Sequence, residues 1–134
     1  MARFLRTAWS LGVALAASTG CSDDASGPDP VPECAGPVSL SVSGGTEPTF
    51  DWSPRCRGFL LLVERDAADV WSIMTPGRNG LEPPVAYGTM PSGAELLFGP
   101  EPLVAGSGHD VILFRYTGPD EDDGEIVASR DFVP

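Results

Sequence analysis

The sequence predicts an all-β fold, one antiparallel β-sandwich of about seven strands over residues 34–134. Three observations carry this. Short stretches alternate apolar and polar residues, the mark of a strand with one face in a core. Turn-forming residues separate them at roughly eight- to twelve-residue spacing, consistent with 16 Gly and 14 Pro in 134 residues. No stretch of about ten or more residues keeps the 3.6-residue period of an amphipathic helix.

In chain order, residues 38–42 (Val-Ser-Leu-Ser-Val) alternate over five positions and are bounded by Pro37 and Gly44-Gly45. Residues 49–52 (Thr-Phe-Asp-Trp) alternate again, which puts Phe50 and Trp52 on one face as core residues. Residues 59–63 (Phe-Leu-Leu-Leu-Val) are apolar without interruption, as expected of a central strand covered on both sides, with Leu61 and Val63 in the core. Residues 70–73 form a shorter strand, and 65–69 are the hairpin connection before it. Residues 83–88 begin with two prolines and read as an edge strand, because proline cannot donate to a ladder. Residues 95–98, 110–116 and 125–132 complete the set, with Val111 and Leu113 expected inside.

Charge closes several function classes. All 8 basic residues are arginine and the chain has no lysine, so a lysine-dependent phosphate loop or Schiff-base site is excluded. Downstream of residue 20, 6 arginines stand against 19 carboxylates. Such a body repels nucleic acid and anionic lipid.

The N-terminus points to export. Arg3 and Arg6 precede an apolar run over residues 8–17, broken only by Ser10 and Gly12, and small residues follow: the order of a secretory signal over residues 1–20. The run falls well short of the roughly 20 residues a membrane-spanning helix needs. Ser18-Thr19-Gly20-Cys21 resembles the lipobox of bacterial lipoproteins, with Ser18 where that family usually has leucine. The resemblance implies a diacylglycerol thioether on Cys21 and attachment to a membrane through that lipid. An ordinary secretory signal cut near Ala17, leaving Cys21 a free thiol in a secreted protein, is the alternative. Residues 21–33 are small, acidic and proline-rich and read as a disordered tether. With Cys21 assigned to lipid by the resemblance, Cys34 and Cys56 remain, and in an extracytoplasmic setting they are expected to pair.

Two short motifs carry a second resemblance. Pro48-Thr49-Phe50-Asp51-Trp52-Ser53-Pro54 is similar to the second-strand motif of fibronectin type III-like domains, in which a tryptophan packs across the sandwich. Leu103-Val104-Ala105-Gly106 and then His109-Asp110-Val111-Ile112-Leu113 resemble the entry into their sixth strand, with His109 where the family usually has a corner tyrosine. The chain as a whole is similar to small bacterial lipoproteins carrying one such domain.

Candidates for chemistry are few. His109 and Asp110 are neighbours in a strand, so they point to opposite faces and cannot form the oriented pair of a catalytic triad. His109 is expected to be a partly buried packing residue. The run from Asp120 to Glu125 fails the EF-hand pattern, because glycine falls at its fifth position. A looser calcium site on Asp120, Asp122 and Asp123 is weighed against a solvated hairpin tip. Trp71, Tyr87 and Tyr116 are either an aromatic platform for sugars or core. The expectation is a non-enzymatic envelope lipoprotein without cofactor, binding another protein or a glycan through sheet faces or end loops, with a calcium-dependent structural module as the alternative. Nucleic acid is not an expected partner.

Overall fold

The computed structural model describes residues 29–120 and 123–134. Eight strands are present: β1 (Ser39–Val42), β2 (Thr49–Ser53), β3 (Leu60–Arg65), β4 (Ala68–Met74), β5 (Val85–Ala86), β6 (Glu95–Phe98), β7 (His109–Tyr116) and β8 (Gly124–Phe132). They form two antiparallel sheets, one of three strands in the order β1-β2-β5 and one of five in the order β6-β4-β3-β7-β8. The predicted all-β sandwich is therefore the observed architecture.

The core lies between the sheets. Phe50 and Trp52 of β2 meet Leu61 and Val63 of β3, Trp71 and Ile73 of β4, and Val111 and Leu113 of β7, all buried. Each of the six predicted core residues is there, because strict alternation along β2, β3 and β7 sends them to one side. Trp52 also donates its indole N–H to the Cys56 carbonyl at 2.7 Å, so its polar edge is satisfied within the core.

Cys34 and Cys56 form a disulfide that closes a loop with a sequence separation of 22. In the chain-entropy model a loop of this length stabilises by roughly 3 kcal/mol. The bridge sits beside a short parallel pairing of Glu33 with Arg57. Arg57 donates from its backbone N–H to the Pro32 carbonyl at 2.7 Å and from Nε to the Val31 carbonyl at 2.8 Å. The end of the stretch read as a tether is thus hydrogen-bonded to the domain.

The two sheets are tied along one side. Val38 donates its N–H to the Val127 carbonyl at 2.9 Å, and the Arg130 guanidinium reaches the Leu40 carbonyl at 3.1 Å. The β8 edge is therefore partly capped by the chain leading into β1. At the opposite margin β6 pairs only with β4 among the described residues, and all four of its residues are exposed.

One expectation is corrected. Residues 59–63 do not form a strand covered on both faces. In β3 burial alternates, with Leu61 and Val63 fully buried and Leu60 and Leu62 only half-buried. The second sheet packs on one side alone, so the outward residues lie outside the core between the sheets.

Candidate functional site

Register places outward residues of the five-stranded sheet in three successive rows, with the Tyr116–Gly124 pair of β7 and β8 beyond the first. In an antiparallel ladder, directly paired residues share a face. Glu95 of β6 pairs with Met74 of β4, Met74 with Leu60 of β3, Leu60 with Phe114 of β7, and Phe114 with Ile126 of β8. The next row runs from Phe98 of β6 through Ser72, Leu62 and Ile112 to Ser129. The third row is Asp69, Glu64, Asp110 and Asp131, again one residue from each of β4, β3, β7 and β8.

Seven of the ten side chains in the first two rows are apolar; the others are Glu95 at the β6 corner, Ser72 and Ser129. Ile126 is 57% and Phe98 42% exposed, and Leu60, Leu62, Met74, Ile112 and Phe114 are half-buried. None of these seven belongs to the core cluster or to the partly buried residues packed against it. Strand pairing sets them side by side on one face. Scattered surface hydrophobes are ordinary, but a contiguous apolar face with a polar margin marks an interaction surface.

The third row supplies that margin. Among the described residues none of its four carboxylates has an ion-pair partner; the two ion pairs present are Arg55–Glu82 and Arg115–Glu125. The Asp110 carboxyl is pushed above the usual aspartate range, first because Asp131 hydrogen-bonds to it, then through partial desolvation and the like charges of Asp131 and Glu64. Directly opposed like charges on a sheet are unfavourable. The row is an uncompensated strip of negative potential along one end of an apolar face.

The residues singled out from sequence go elsewhere. His109 is buried, more completely than expected, on the inward side of β7; it stacks on Phe132 with ring centroids 5.5 Å apart. Its Nδ1 lies 2.9 Å from the Ser107 carbonyl. A carbonyl only accepts, so Nδ1 carries the proton and the imidazole makes a side-chain-to-backbone tie across the corner. Asp110 points outward, away from it, as alternation requires.

Trp71 is fully buried, with Phe50 at 6.3 Å and Tyr87 at 5.1 Å between ring centroids. Tyr116 lies against Phe59 instead. The three aromatics do not form one exposed platform. Tyr87 is half-buried and donates its hydroxyl to the Glu101 carbonyl; burial first, and then the Glu101 charge, push its phenol up to about 12. It lines a cleft of about 480 Å³ with Thr46, Glu47, Gly88 and Pro100.

In the acidic run, Asp123 donates its N–H to the Asp120 carbonyl at 3.0 Å and accepts from Thr117 N–H at 3.0 Å. This is the turn of the β7–β8 hairpin. Asp122 and Glu121 lie outside the described residues, as do Cys21 and the signal segment. Among the described residues no group of three or more His, Cys, Asp or Glu is placed to hold a metal ion, and no helix is long and apolar enough to cross a membrane.

Reading the sequence alone missed the outer face. Its signal was present in the continuous apolar run of β3 and in Ile112 and Phe114, which alternate with Val111 and Leu113. Its acidic margin had no local signal, because the four carboxylates come from four strands. In comparison with known protein families, curated proteins and solved structures, the chain matches none.

Proposed function

We propose that this chain is a cell-envelope lipoprotein, anchored by a lipid on Cys21, whose fibronectin type III-like domain is a non-catalytic module that binds another protein through the outer face of its five-stranded sheet. The observation that carries the binding reading is the apolar face left uncovered among the described residues. Strands apolar on both faces are the pattern of a sheet with cover on both sides, and here one side is covered from within the domain. The burial of Trp71 favours a protein over a sugar held by aromatic stacking.

The strand order of the two sheets, with Trp52 and Leu103 buried at the two motifs, supports the fibronectin type III-like assignment. The lipid anchor rests on the Ser18-Thr19-Gly20-Cys21 motif and the charged, apolar, small-residue leader before it.

Photo-crosslinking in intact cells tests the binding reading. A benzophenone side chain at Leu62 is expected to give one discrete, identifiable protein adduct, while the same group at Asp51, on the exposed side of β2, gives none. Equal labelling from both positions overturns it. Intact mass of the same protein from the membrane fraction tests the anchor: residues 21–134 plus lipid are expected, and an unlipidated soluble species overturns that part.

A further inference from the structure

We infer that the outer face of the five-stranded sheet takes a segment of another protein bearing an apolar stripe that ends in arginine or lysine, the stripe over the Leu60 and Leu62 rows and the cations over the row Asp69, Glu64, Asp110 and Asp131. The inference rests on the binding reading above and adds the chemistry of the partner.

Charge complementarity selects this occupant. Residues two apart along a strand are about 6.8 Å apart, so the three rows span about 14 Å along the strands, and four adjacent strands make the acidic row about 14 Å wide. A helix rises about 1.5 Å per residue, so two to three turns cross the face from the first row to the acidic one. Apolar residues at helical spacing would cover Leu60, Phe114, Leu62 and Ile112, and a cation in the following turn would meet the carboxylates.

The same geometry disfavours other occupants. A second copy laid face to face brings either acidic row against acidic row or four carboxylates against the Met74–Ile126 row, and burying unpaired charge is costly. An anionic membrane meets a strip of its own sign. A cationic segment instead offsets the like charges of Asp131 and Glu64, which add to the Asp131 hydrogen bond and desolvation in raising the Asp110 carboxyl.

The test uses the processed chain as recovered from cells, held in phosphatidylcholine nanodiscs, with empty discs as blank. Three fluorescent 18-residue helical peptides are titrated, each with leucine along one face and three lysines, three glutamines or three glutamates in the last two turns. The lysine peptide is expected to bind at least tenfold more tightly than the glutamate peptide, with the glutamine peptide between them. That preference should shrink at high salt, because charges at the rim are screened. Asp110→Asn with Asp131→Asn is expected to bring the lysine and glutamate peptides within threefold. Leu62→Gln with Ile112→Thr should weaken the lysine peptide at least tenfold, with the melting temperature of each variant reporting its folding.

If all three peptides bind alike and the Leu62/Ile112 variant weakens them equally, the partner chemistry is overturned and the binding face stands. If no peptide binds, or the Leu62/Ile112 variant binds as the parent does, both are overturned. Self-association lost in the same variant would assign the face to a second copy. Partition of the domain to lipid-only vesicles would assign it to a membrane. Either result overturns the inference.

Discussion

Asp110 carries the clearest electrostatic consequence of the fold. Its pairing with Asp131 puts two carboxylates on one exposed face, and the hydrogen bond between them raises Asp110 above its ordinary value. A carboxyl whose folded value is raised contributes stability that is fully present below its unfolded value and is lost as pH rises through the folded one. Asp110→Asn is therefore expected to stabilise the protein at neutral pH, by a few tenths to about 1 kcal/mol given solvent screening at the surface. The gain should disappear near about pH 3, below the ordinary aspartate range. Urea denaturation of parent and variant at the two pH values reads this directly; a gain of equal size at both would mean that like-charge repulsion is not its source. His109, one residue earlier, shows how sharply alternation separates roles. It is buried against Phe132 and tied to Ser107, while Asp110 faces outward.

The β3–β4 hairpin shows what local chemistry accomplishes and where it is imperfect. Arg65 pairs with Ala68, so the connection is the two residues Asp66 and Ala67, shorter than the 65–69 stretch the sequence suggested. Both take positive φ, 53° and 60°. This left-handed pair matches the right-handed twist of the flanking strands, but alanine holds it against the steric cost of its Cβ. Ala67→Gly is expected to raise stability by about 1 kcal/mol, measured as a shift in the denaturation midpoint; a loss of stability would mean that the glycine's greater freedom when unfolded outweighs the relieved strain. Gly99 is the converse case. With φ at 78° and the Val70 carbonyl 2.2 Å from where a Cβ would sit, only glycine fits the exit from β6.

Across the whole molecule, the two faces of one strand make opposite predictions. Leu61 faces the core and is fully buried, while Leu62 faces out and is half-buried. Leu61→Ala is expected to cost about 2–5 kcal/mol, the range for a core leucine whose cavity cannot collapse. Leu62→Ala should cost less than about 1.5 kcal/mol in the isolated protein, because only same-face contacts are lost. Chemical denaturation of both variants compares them, and equal losses would mean that the outer face is covered within the chain. The strands, the turns between them and the six core residues were legible in order along the chain, since alternation and Gly/Pro punctuation are local patterns. The pairing of Cys34 with Cys56, present in the structure, was expected from the count on the premise, taken from the lipobox resemblance, that Cys21 carries lipid. The hidden position of Trp71 was not legible, because an aromatic strand residue fits a core or a surface equally well until its neighbours are known.

A period of two and a turn every few residues are properties of contiguous sequence, so they are enough to specify an all-β sandwich and the residues that fill it. They do not say which strands lie side by side or what lies across from a face. Asp69 and Glu64 are close in sequence to each other and far from Asp110 and Asp131, yet the order β4-β3-β7-β8 sets all four in one row. Likewise β3 is apolar on both sides, and it is the position of the three-stranded sheet that covers Leu61 and leaves Leu62 on the outer face. Pairing and cover depend on residues distant along the chain, and those are set when the two sheets close on a common core.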